Sequence, residues 1–309
     1  MTRFGPNVPA DGRFDPRVIA ATGATMVRMV ARPEINQVPI WESCLDAGLY
    51  VLLVLARESF ENGFTCVEWS ARCDELISQI QVGNEPDHIG PSSWTMPQTA
   101  LAELLRQARG AFPRDTRIIG PGLASGDPTW WTPQLDDLVD AIAVHPYGQA
   151  PRSGWPWWNF GYVGDLLDGY RAVTRHPLWI TEYGTDDLVQ QSDYIGEMAR
   201  TLQAQPDIEA ALQFCWSDAM VPTYGLLDGQ GIPRPSLAAF SAAVRGEAPM
   251  ATDTERIALL ERQQALTVDL AARILGGNWN DGAESAQALL RAIAPGKYGQ
   301  FEAVPFPKE

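Results

Sequence analysis

The sequence predicts an α/β protein: a (β/α)8 TIM barrel over residues 1–245, followed by a small helical appendage over residues 250–309. Eight short apolar segments alternate with segments of helical periodicity, which implies parallel strands joined by right-handed crossovers. Eight such units in about 240 residues match the usual size of this barrel. The pattern changes after the last unit, and this change separates the appendage from the barrel.

The predicted strands are short and mostly apolar. The clearest is the run Tyr-Val-Leu-Leu-Val-Leu-Ala at residues 50–56, which is typical of a parallel strand buried on both faces. The predicted strands cover residues 4–8, 25–31, 50–56, 77–82, 117–120, 141–144, 177–184 and 210–216, and the predicted helices cover residues 16–22, 34–47, 66–76, 97–111, 133–139, 162–174 and 192–204. An open doubly wound sheet is the alternative, but no GxGxxG phosphate loop follows any of these strands.

The appendage carries its own helical signals. Thr252 and Glu255 have the spacing of a capping box, and the helix that they begin is predicted to end before Gly276. A second helix is predicted over residues 283–293. These helices could pack on the barrel, or they could form a homo-oligomer or dock the chain in a larger assembly.

Composition and charge restrict the class of partner. The chain has 309 residues, of which 45% are hydrophobic, and a formal net charge of -15. An acidic chain lacks the basic face that nucleic acid requires, and no apolar run reaches the roughly 18 residues of a membrane span. We therefore expect no nucleic-acid partner and no membrane partner. No apolar signal region is visible, so a cytoplasmic location is the default expectation and an extracellular or virion-associated one is the alternative.

The cysteines and histidines show no metal-binding pattern. None of the four cysteines belongs to a CxxC pair, and the three histidines are scattered along the chain. We therefore expect no metal and no cofactor. Cys66 and Cys73 could form a disulfide if they share a loop, but buried free thiols are the simpler expectation.

Two of the predicted strands deliver a glutamate where they end. The strand over residues 77–82 is followed by Asn84 and Glu85, and the strand over residues 177–184 carries Glu182. The carboxyl ends of the strands form the active face of a (β/α)8 barrel. Both glutamates are therefore expected to lie on one rim, as the pair of carboxyl groups in an active site.

Other polar and aromatic residues are predicted to share this rim. A single residue of this kind is more often a solvated loop residue, but a whole set is difficult to obtain by chance. The predicted rim residues are Arg28, Arg57, Glu58, Asn84, Glu85, His145, Tyr147, Glu182 and Trp216. The acidic residues near the cleft are predicted to disfavour anionic sugars: Glu58, Asp87, Asp127 and Asp218.

Five tryptophans follow the fifth and sixth strands, on the same predicted face. Exposed indoles stack on the apolar faces of sugar rings. These residues are Trp130, Trp131, Trp155, Trp157 and Trp158. We expect two or three of them to cap the core, and we take Trp130 and Trp157 as the candidates for binding a polymeric sugar.

The order of these motifs resembles a large clan of (β/α)8 glycoside hydrolases with one glutamate after strand 4 and another after strand 7. The resemblance covers residues 1–245. It rests on Val27-Arg28, Asn84-Glu85-Pro86, His145-Pro146-Tyr147, Thr181-Glu182-Tyr183-Gly184, Trp216, the closing stretches Tyr224-Gly225-Leu226-Leu227-Asp228 and Pro233-Arg234-Pro235-Ser236, and Ala239-Phe240. Asn-Glu-Pro alone is a weak signal, but the ordered set is specific.

The resemblance implies a retaining hydrolase of a polysaccharide or glycoconjugate, with Glu85 as acid/base and Glu182 as nucleophile. Retention requires two carboxyl groups about 5 Å apart, one of them protonated and the other ionised. The proximity of two like charges is expected to raise one pKa, so that the two groups differ in protonation near neutral pH.

The same resemblance implies supporting roles for neighbouring residues. Asn84 is expected to hydrogen-bond the sugar 2-hydroxyl, and Arg28 is expected to keep the nucleophile ionised. Tyr147 or His145 is expected to position one of the two carboxyl groups. Trp216, placed in strand 8, is expected to form the floor under the sugar.

Two other classes of function stay open at this point. The chain could be a non-catalytic carbohydrate-binding module, such as the wall-recognition part of a phage tail. It could also be a barrel enzyme that uses Glu85 and Glu182 to bind a metal. Many members of the clan carry a histidine near the end of strand 3, where this chain has Arg57 and Glu58. This departure leaves the exact family and the sugar open.

Overall fold

The structure, a computed structural model, describes residues 2–88, 95–155 and 161–247. In these residues eight parallel strands form a nearly closed barrel in the order β1-β8-β7-β6-β5-β4-β3-β2. The strands are β1 (Arg3–Pro6), β2 (Met26–Val30), β3 (Tyr50–Leu55), β4 (Gln79–Val82), β5 (Arg117–Gly120), β6 (Ala141–Val144), β7 (Leu178–Tyr183) and β8 (Ile208–Gln213). The predicted (β/α)8 fold is confirmed.

Helices follow the strands and cover the barrel from outside. They are α1 (Pro16–Ala21), α2 (Val38–Asp46), α3 (Cys66–Cys73), α4 (Gln98–Ala111), α5 (Pro133–Asp136), α6 (Val163–Arg171), α7 (Gln191–Gln203) and α8 (Pro235–Val244). Short 3₁₀ segments follow β3 and β5, at Arg57–Gly63 and Pro128–Trp130. Asp15 caps the N-terminus of α1, because its carboxylate accepts the Arg17 N–H at 2.9 Å.

The seam of the barrel lies between β1 and β2. There the Thr25 N–H donates to the Phe4 carbonyl at 2.8 Å, and the Val8 N–H donates to the Arg28 carbonyl at 2.9 Å. A single parallel bridge pairs Asn7 with Arg28. The seam therefore brings these two polar residues side by side at the C-terminal end of the barrel.

A separate apolar cluster fills the barrel interior, and the indole of Trp179 is its largest side chain. The register pairs Trp179 of β7 with Ala143 on one side and Ala210 on the other, and all three residues are buried. The alanines leave room for the ring, whose N–H donates to Glu209 Oε2 at 3.0 Å. A larger apolar cluster fills the space between the strands and the helices.

Three features differ from the sequence predictions. Helix α8 was not predicted, and Trp216 lies beyond the end of β8 instead of within it. Helix α2 begins at Val38 because the Gln37 side chain ties the preceding loop to Ala10, Val30 and Arg32. The simpler expectation for the cysteines, by contrast, is confirmed: all four are buried and free, so Cys66 and Cys73 are not paired.

The appendage over residues 250–309 lies outside the described residues, as do Trp157 and Trp158. Its two helices and the boundary of the barrel at residue 245 therefore stay predictions. Among the helices that the structure describes, none is long and apolar enough to cross a membrane.

Candidate active site

Glu182 lies on β7, where the strand departs from regular pairing. The register between β7 and β8 shifts between Ile180 and Tyr183, the segment that contains Thr181 and Glu182. Side chains of neighbouring strand residues normally point to opposite faces. Here both reach the same imidazole: Thr181 Oγ1 lies 3.0 Å and Glu182 Oε1 3.8 Å from His145 Nε2. The irregularity thus turns Glu182 toward the rim.

Both carboxylate oxygens of Glu182 accept a hydrogen bond. Arg28 Nη1 donates to Oε1 at 2.7 Å, and the Tyr147 hydroxyl donates to Oε2 at 3.0 Å. The side chain of Glu182 is only 9% exposed. Burial and the charge of Glu182 raise the pKa of the Tyr147 phenol, which therefore stays protonated as a donor. The carboxylate is held in one orientation.

Arg28 is the centre of a buried polar network. Its guanidinium is 4% exposed and donates to Gln81 Oε1 at 2.9 Å, to Asn7 Oδ1 at 2.5 Å and to Asn84 Oδ1 at 2.6 Å, in addition to Glu182. A buried charge is tolerated when it is paired and its hydrogen-bonding groups are satisfied. The network therefore couples the ends of β1, β2 and β4 to the carboxylate on β7.

Glu85 lies on a loop that follows β4. Its backbone has a φ of 46°, and its N–H donates to the Gly122 carbonyl at 2.9 Å. A positive φ is uncommon for a residue other than glycine and occurs often at active sites. The backbone of Glu85 is thus fixed to the loop after β5, although it lies outside the sheet.

The carboxyl group of Glu85 lies between two imidazoles. Its Oε1 is 3.0 Å from His145 Nδ1, and its Oε2 is 3.6 Å from His88 Nδ1. Burial alone raises the pKa of this carboxyl. The hydrogen bond to His145 and the positive charges of His145, His88 and Arg28 outweigh burial and hold the pKa below its usual range. The sequence predicts a raised pKa for one of the two carboxyl groups, and for Glu85 the pKa is shifted in the opposite direction.

His145 fits its position because a glycine lies beneath it. A Cβ atom added to Gly122 would come within 2.3 Å of the imidazole, so any side chain there would displace the ring. His145 is buried, and its Nε2 contacts Thr181 Oγ1. When Glu85 is ionised, Nδ1–H donates to it; when Glu85 is protonated, its O–H can donate to Nδ1. The contact therefore serves both protonation states.

The two carboxyl groups are close enough to act on one bond. One atom each of Glu85, His145 and Glu182 lie within 4.8 Å of one another. The glutamates open into a cavity of about 400 Å³. Its polar lining is Asn7, Arg28, Arg57, Glu58, Asn84, Glu85, His88 and Glu182, and its apolar lining is Val8, Val30, Ala56, Phe214 and Met220.

An aromatic cluster lies beside Glu182. The rings of Phe214 and Tyr224 meet the ring of Tyr147 edge-on, with centroids 6.1 and 6.0 Å away. Phe214 lines the cavity, whereas Trp216 is buried in the core. The strand position predicted for Trp216 is wrong, and its role under the sugar stays a prediction.

The tryptophans after β5 and β6 separate into two groups. Trp131 and Trp155 are buried, as expected for residues that cap the core. Trp130 is half-buried and packs against the core from the rim side. The candidate Trp157 lies outside the described residues. Of the four acidic residues predicted near the cleft, Glu58 lines the cavity and Asp218 instead forms an ion pair with Arg234.

Sequence reasoning missed five residues of this site: Asn7, Gln81, His88, Thr181 and Phe214. A signal existed for some of them. Gln81 is a polar residue between the apolar residues Ile80 and Val82 of β4, and Thr181 precedes the glutamate directly. Each would have suggested a polar contact at the end of the barrel.

The fold and this site define a (β/α)8 glycoside hydrolase: a parallel barrel with two carboxyl groups facing each other on its C-terminal rim. The family model described as the glycosyl hydrolase catalytic core matches residues 63–240. This match spans more than half of the chain, and the chain belongs to that family. A search of curated proteins found no significant match.

Solved structures with the same fold are distant in sequence. A GH128 (subgroup I) endo-β-1,3-glucanase from Amycolatopsis mediterranei, in complex with laminaritriose, is 21% identical; the match covers 79% of this chain and 100% of that one, with a TM-score of 0.59. A GH5_18 protein from Streptomyces cattleya, in complex with GlcNAc, is 17% identical over 79% of this chain and 80% of that one, with a TM-score of 0.59. At this identity the likeness supports the fold.

Proposed function

We propose that this glycoside hydrolase retains the anomeric configuration and cleaves an oligo- or polysaccharide by double displacement, with Glu85 as acid/base and Glu182 as nucleophile. The observation that carries the proposal is the close approach of the two carboxyl groups: one oxygen of Glu85 and one oxygen of Glu182 lie within 4.8 Å of each other. Retaining enzymes hold these groups about 5–5.5 Å apart, whereas inverting enzymes need about 6.5–9.5 Å to admit a water molecule.

The first step forms a covalent bond between the sugar and Glu182. A carboxylate oxygen of Glu182 attacks the anomeric carbon while the Glu85 O–H gives its proton to the departing glycosidic oxygen. Arg28 and Tyr147 hold the attacking carboxylate in place. Asn84 lies beside it on the cavity wall, and its amide NH2 is available to the sugar because its Oδ1 already accepts from Arg28.

The second step releases the sugar. Glu85, now ionised, takes a proton from a water molecule, and the oxygen of that water attacks the anomeric carbon and displaces Glu182. The proton returns Glu85 to its starting state, so one cycle consumes one water and one glycosidic bond. His145 can remain bonded to Glu85 in both steps, because its Nδ1 can donate or accept.

A neutral β-glucan is the proposed substrate class, and a β-1,3-glucan is the first candidate. The support is the likeness in fold to an endo-β-1,3-glucanase crystallised with laminaritriose. Within the described lining of the cavity, Arg57 and Glu58 balance each other in charge, and Phe214 and Met220 offer apolar surface to a sugar ring.

A metal-dependent reaction is less well supported by the geometry. Arg28 Nη1 already lies 2.7 Å from Glu182 Oε1, where a cation between the two carboxyl groups would have to bind. Activity that survives extensive treatment with EDTA would exclude this rival, and loss of activity that Mg²⁺ or Zn²⁺ restores would favour it. Membership of a hydrolase family also favours catalysis over binding alone.

Time-resolved proton NMR of the anomeric product tests the proposal. With a soluble β-1,3-glucan, the first product formed should be the β anomer, which then mutarotates. Glu182→Gln should abolish release, while Glu58→Gln removes the same charge from the cavity lining and serves as the matched control. An initial α anomer would contradict retention, and full activity of Glu182→Gln would contradict the assignment of the nucleophile.

A further inference from the structure

A short turn returns the chain to Glu85. The His88 N–H donates to the Glu85 carbonyl at 3.0 Å, and Pro86 follows Glu85 in the turn. The carboxylate of Asp87 accepts the N–H groups of Ala124 and Ser125 at 2.8 and 2.9 Å. Pro86 restricts the backbone angle φ within the turn, and the Asp87 hydrogen bonds connect the turn to the loop after β5. The turn therefore holds the backbone of His88 next to Glu85, and the His88 Nδ1 lies 3.6 Å from Glu85 Oε2.

The two imidazoles that face Glu85 differ in their access to water. The His145 side chain is 1% exposed and contacts Oε1, whereas the His88 side chain is 53% exposed and faces Oε2 at 3.6 Å. The chain has three histidines in all, and two of them face one carboxyl group. The buried imidazole supports Glu85 from inside, and the exposed one can exchange protons with solvent.

We propose that His88 is a positioning residue for Glu85: it holds the outer carboxyl oxygen, and its charge sets the pH range over which Glu85 keeps the proton that it donates. This inference rests on the proposed role of Glu85 as acid/base. A protonated imidazole beside Oε2 stabilises the carboxylate, and a neutral side chain in its place favours the protonated acid.

Several other charged groups face the same carboxyl, and they act in the background of His88. His145 touches Oε1, Arg28 lies across the site, and Glu182 is the opposing carboxylate. Arg57 and Glu58 line the cavity beyond them. Replacement of His88 leaves all of these groups in place, so the effect of its charge can be measured separately.

Carbon-13 NMR of the glutamate side-chain carboxyls tests the inference without any substrate. The Glu85 signal, assigned with Glu85→Gln, should titrate at higher pH in His88→Gln than in the wild type, by up to about one pH unit. His88→Lys keeps a positive charge and should restore the wild-type value. His176→Gln is the control, because His176 precedes β7 at the end of the barrel opposite to Glu182.

Kinetics then connect this titration to turnover. In His88→Gln, the pH at which kcat/KM falls on the alkaline side should rise in step with the Glu85 titration, and His88→Lys should reverse the shift. An unchanged Glu85 titration in His88→Gln would overturn the inference, whether or not a substrate is known. A shifted titration with an unshifted kinetic limb would instead overturn the role of Glu85 as the acid.

Discussion

Glu85 and Glu182 are the same residue type on the same rim, but their surroundings differ in almost every respect. Glu182 belongs to β7, is 9% exposed, and accepts hydrogen bonds from a guanidinium and a phenol. Glu85 follows β4 on a loop, is 24% exposed, and faces two imidazoles. Glu182 accepts from a permanently charged guanidinium and a phenol that stays protonated, whereas Glu85 faces imidazoles that can donate or accept.

This difference supports the proposed division of roles, with Glu182 as nucleophile and Glu85 as acid/base. A nucleophile must stay ionised and aimed, and Arg28 and Tyr147 supply fixed donors for that purpose. An acid/base must gain and lose a proton in each cycle, and an imidazole can accommodate both states. Under the proposed mechanism, the two identical side chains would owe their different roles to their neighbours, as in other enzymes with paired carboxyl groups.

The largest expected effect on activity comes from removing either carboxyl group. Glu182→Ala should lower kcat by at least about 10⁴-fold on every substrate, because no other group can form the covalent bond. Glu85→Ala should reduce hydrolysis of a polysaccharide by about 10²–10⁴-fold. It should affect an aryl glycoside with an acidic phenol much less, because that leaving group needs no proton.

Steady-state kinetics on both kinds of substrate measure this contrast. The first step of the Glu85 variant should be fast on the aryl glycoside and its second step slow, which gives a burst of released phenol. Azide, as a small nucleophile that needs no base, should speed the second step. If both variants lost activity equally on both substrates, the two glutamates would not have the separate roles proposed here.

The second prediction concerns the contribution of the buried Arg28 network around Glu182 to stability. Arg28→Met should destabilise the fold by about 3–5 kcal/mol, because it leaves Glu182, Asn7 and Gln81 buried without their shared donor. Urea denaturation of the variant and the wild type measures this loss. Arg57→Met, an exposed arginine on the same cavity, is the control and should change stability by less than about 0.5 kcal/mol.

The third prediction concerns the single hydrogen bond that the Tyr147 hydroxyl donates to Glu182. Tyr147→Phe removes the hydroxyl at 3.0 Å from Glu182 Oε2 but keeps the ring that packs against Phe214 and Tyr224. We expect stability to change by about 1 kcal/mol or less and kcat to fall by about 10–100-fold. Tyr224→Phe keeps the same ring cluster without touching Glu182. A Tyr147 variant as active as the Tyr224 variant would show that this hydrogen bond is not needed.

The same two regions show what the sequence could predict. Glu85, Glu182 and Asn84 follow or end apolar runs, and Arg28 is the one charge inside another, so parallel strands bring them to one rim. The local environment of each was harder to obtain. Strict alternation along β7 would separate Thr181 from Glu182, and the shift in register that brings them together has no signature in composition.

Trp216 and Phe214 illustrate a second limit. Both are aromatic residues near the end of β8, and their order alone does not decide which one reaches the cavity. The backbone of Trp216 pairs with Asn7 and Leu227, which draws this residue under the closing loop and into the core. Phe214 consequently lines the cavity. The outcome depends on tertiary hydrogen bonds that a single sequence does not reveal.

The smallest expected effect is a difference between the pH profiles of kcat/KM and kcat, which both depend on the protonation of Glu85. Glu85 must be protonated to donate, and its pKa lies below the usual range in the free enzyme. The alkaline fall of kcat/KM, which reports the free enzyme, should therefore lie in the acid range. A bound sugar removes water from the carboxyl and raises its pKa, so the fall of kcat should lie at higher pH.

Pre-steady-state rates of the first step, measured across pH, give the fall of both kcat/KM and kcat. If kcat/KM and kcat fell at the same pH, the bound sugar would not desolvate Glu85. A fall of kcat at lower pH than that of kcat/KM would contradict the donation of a proton by Glu85 in the first step.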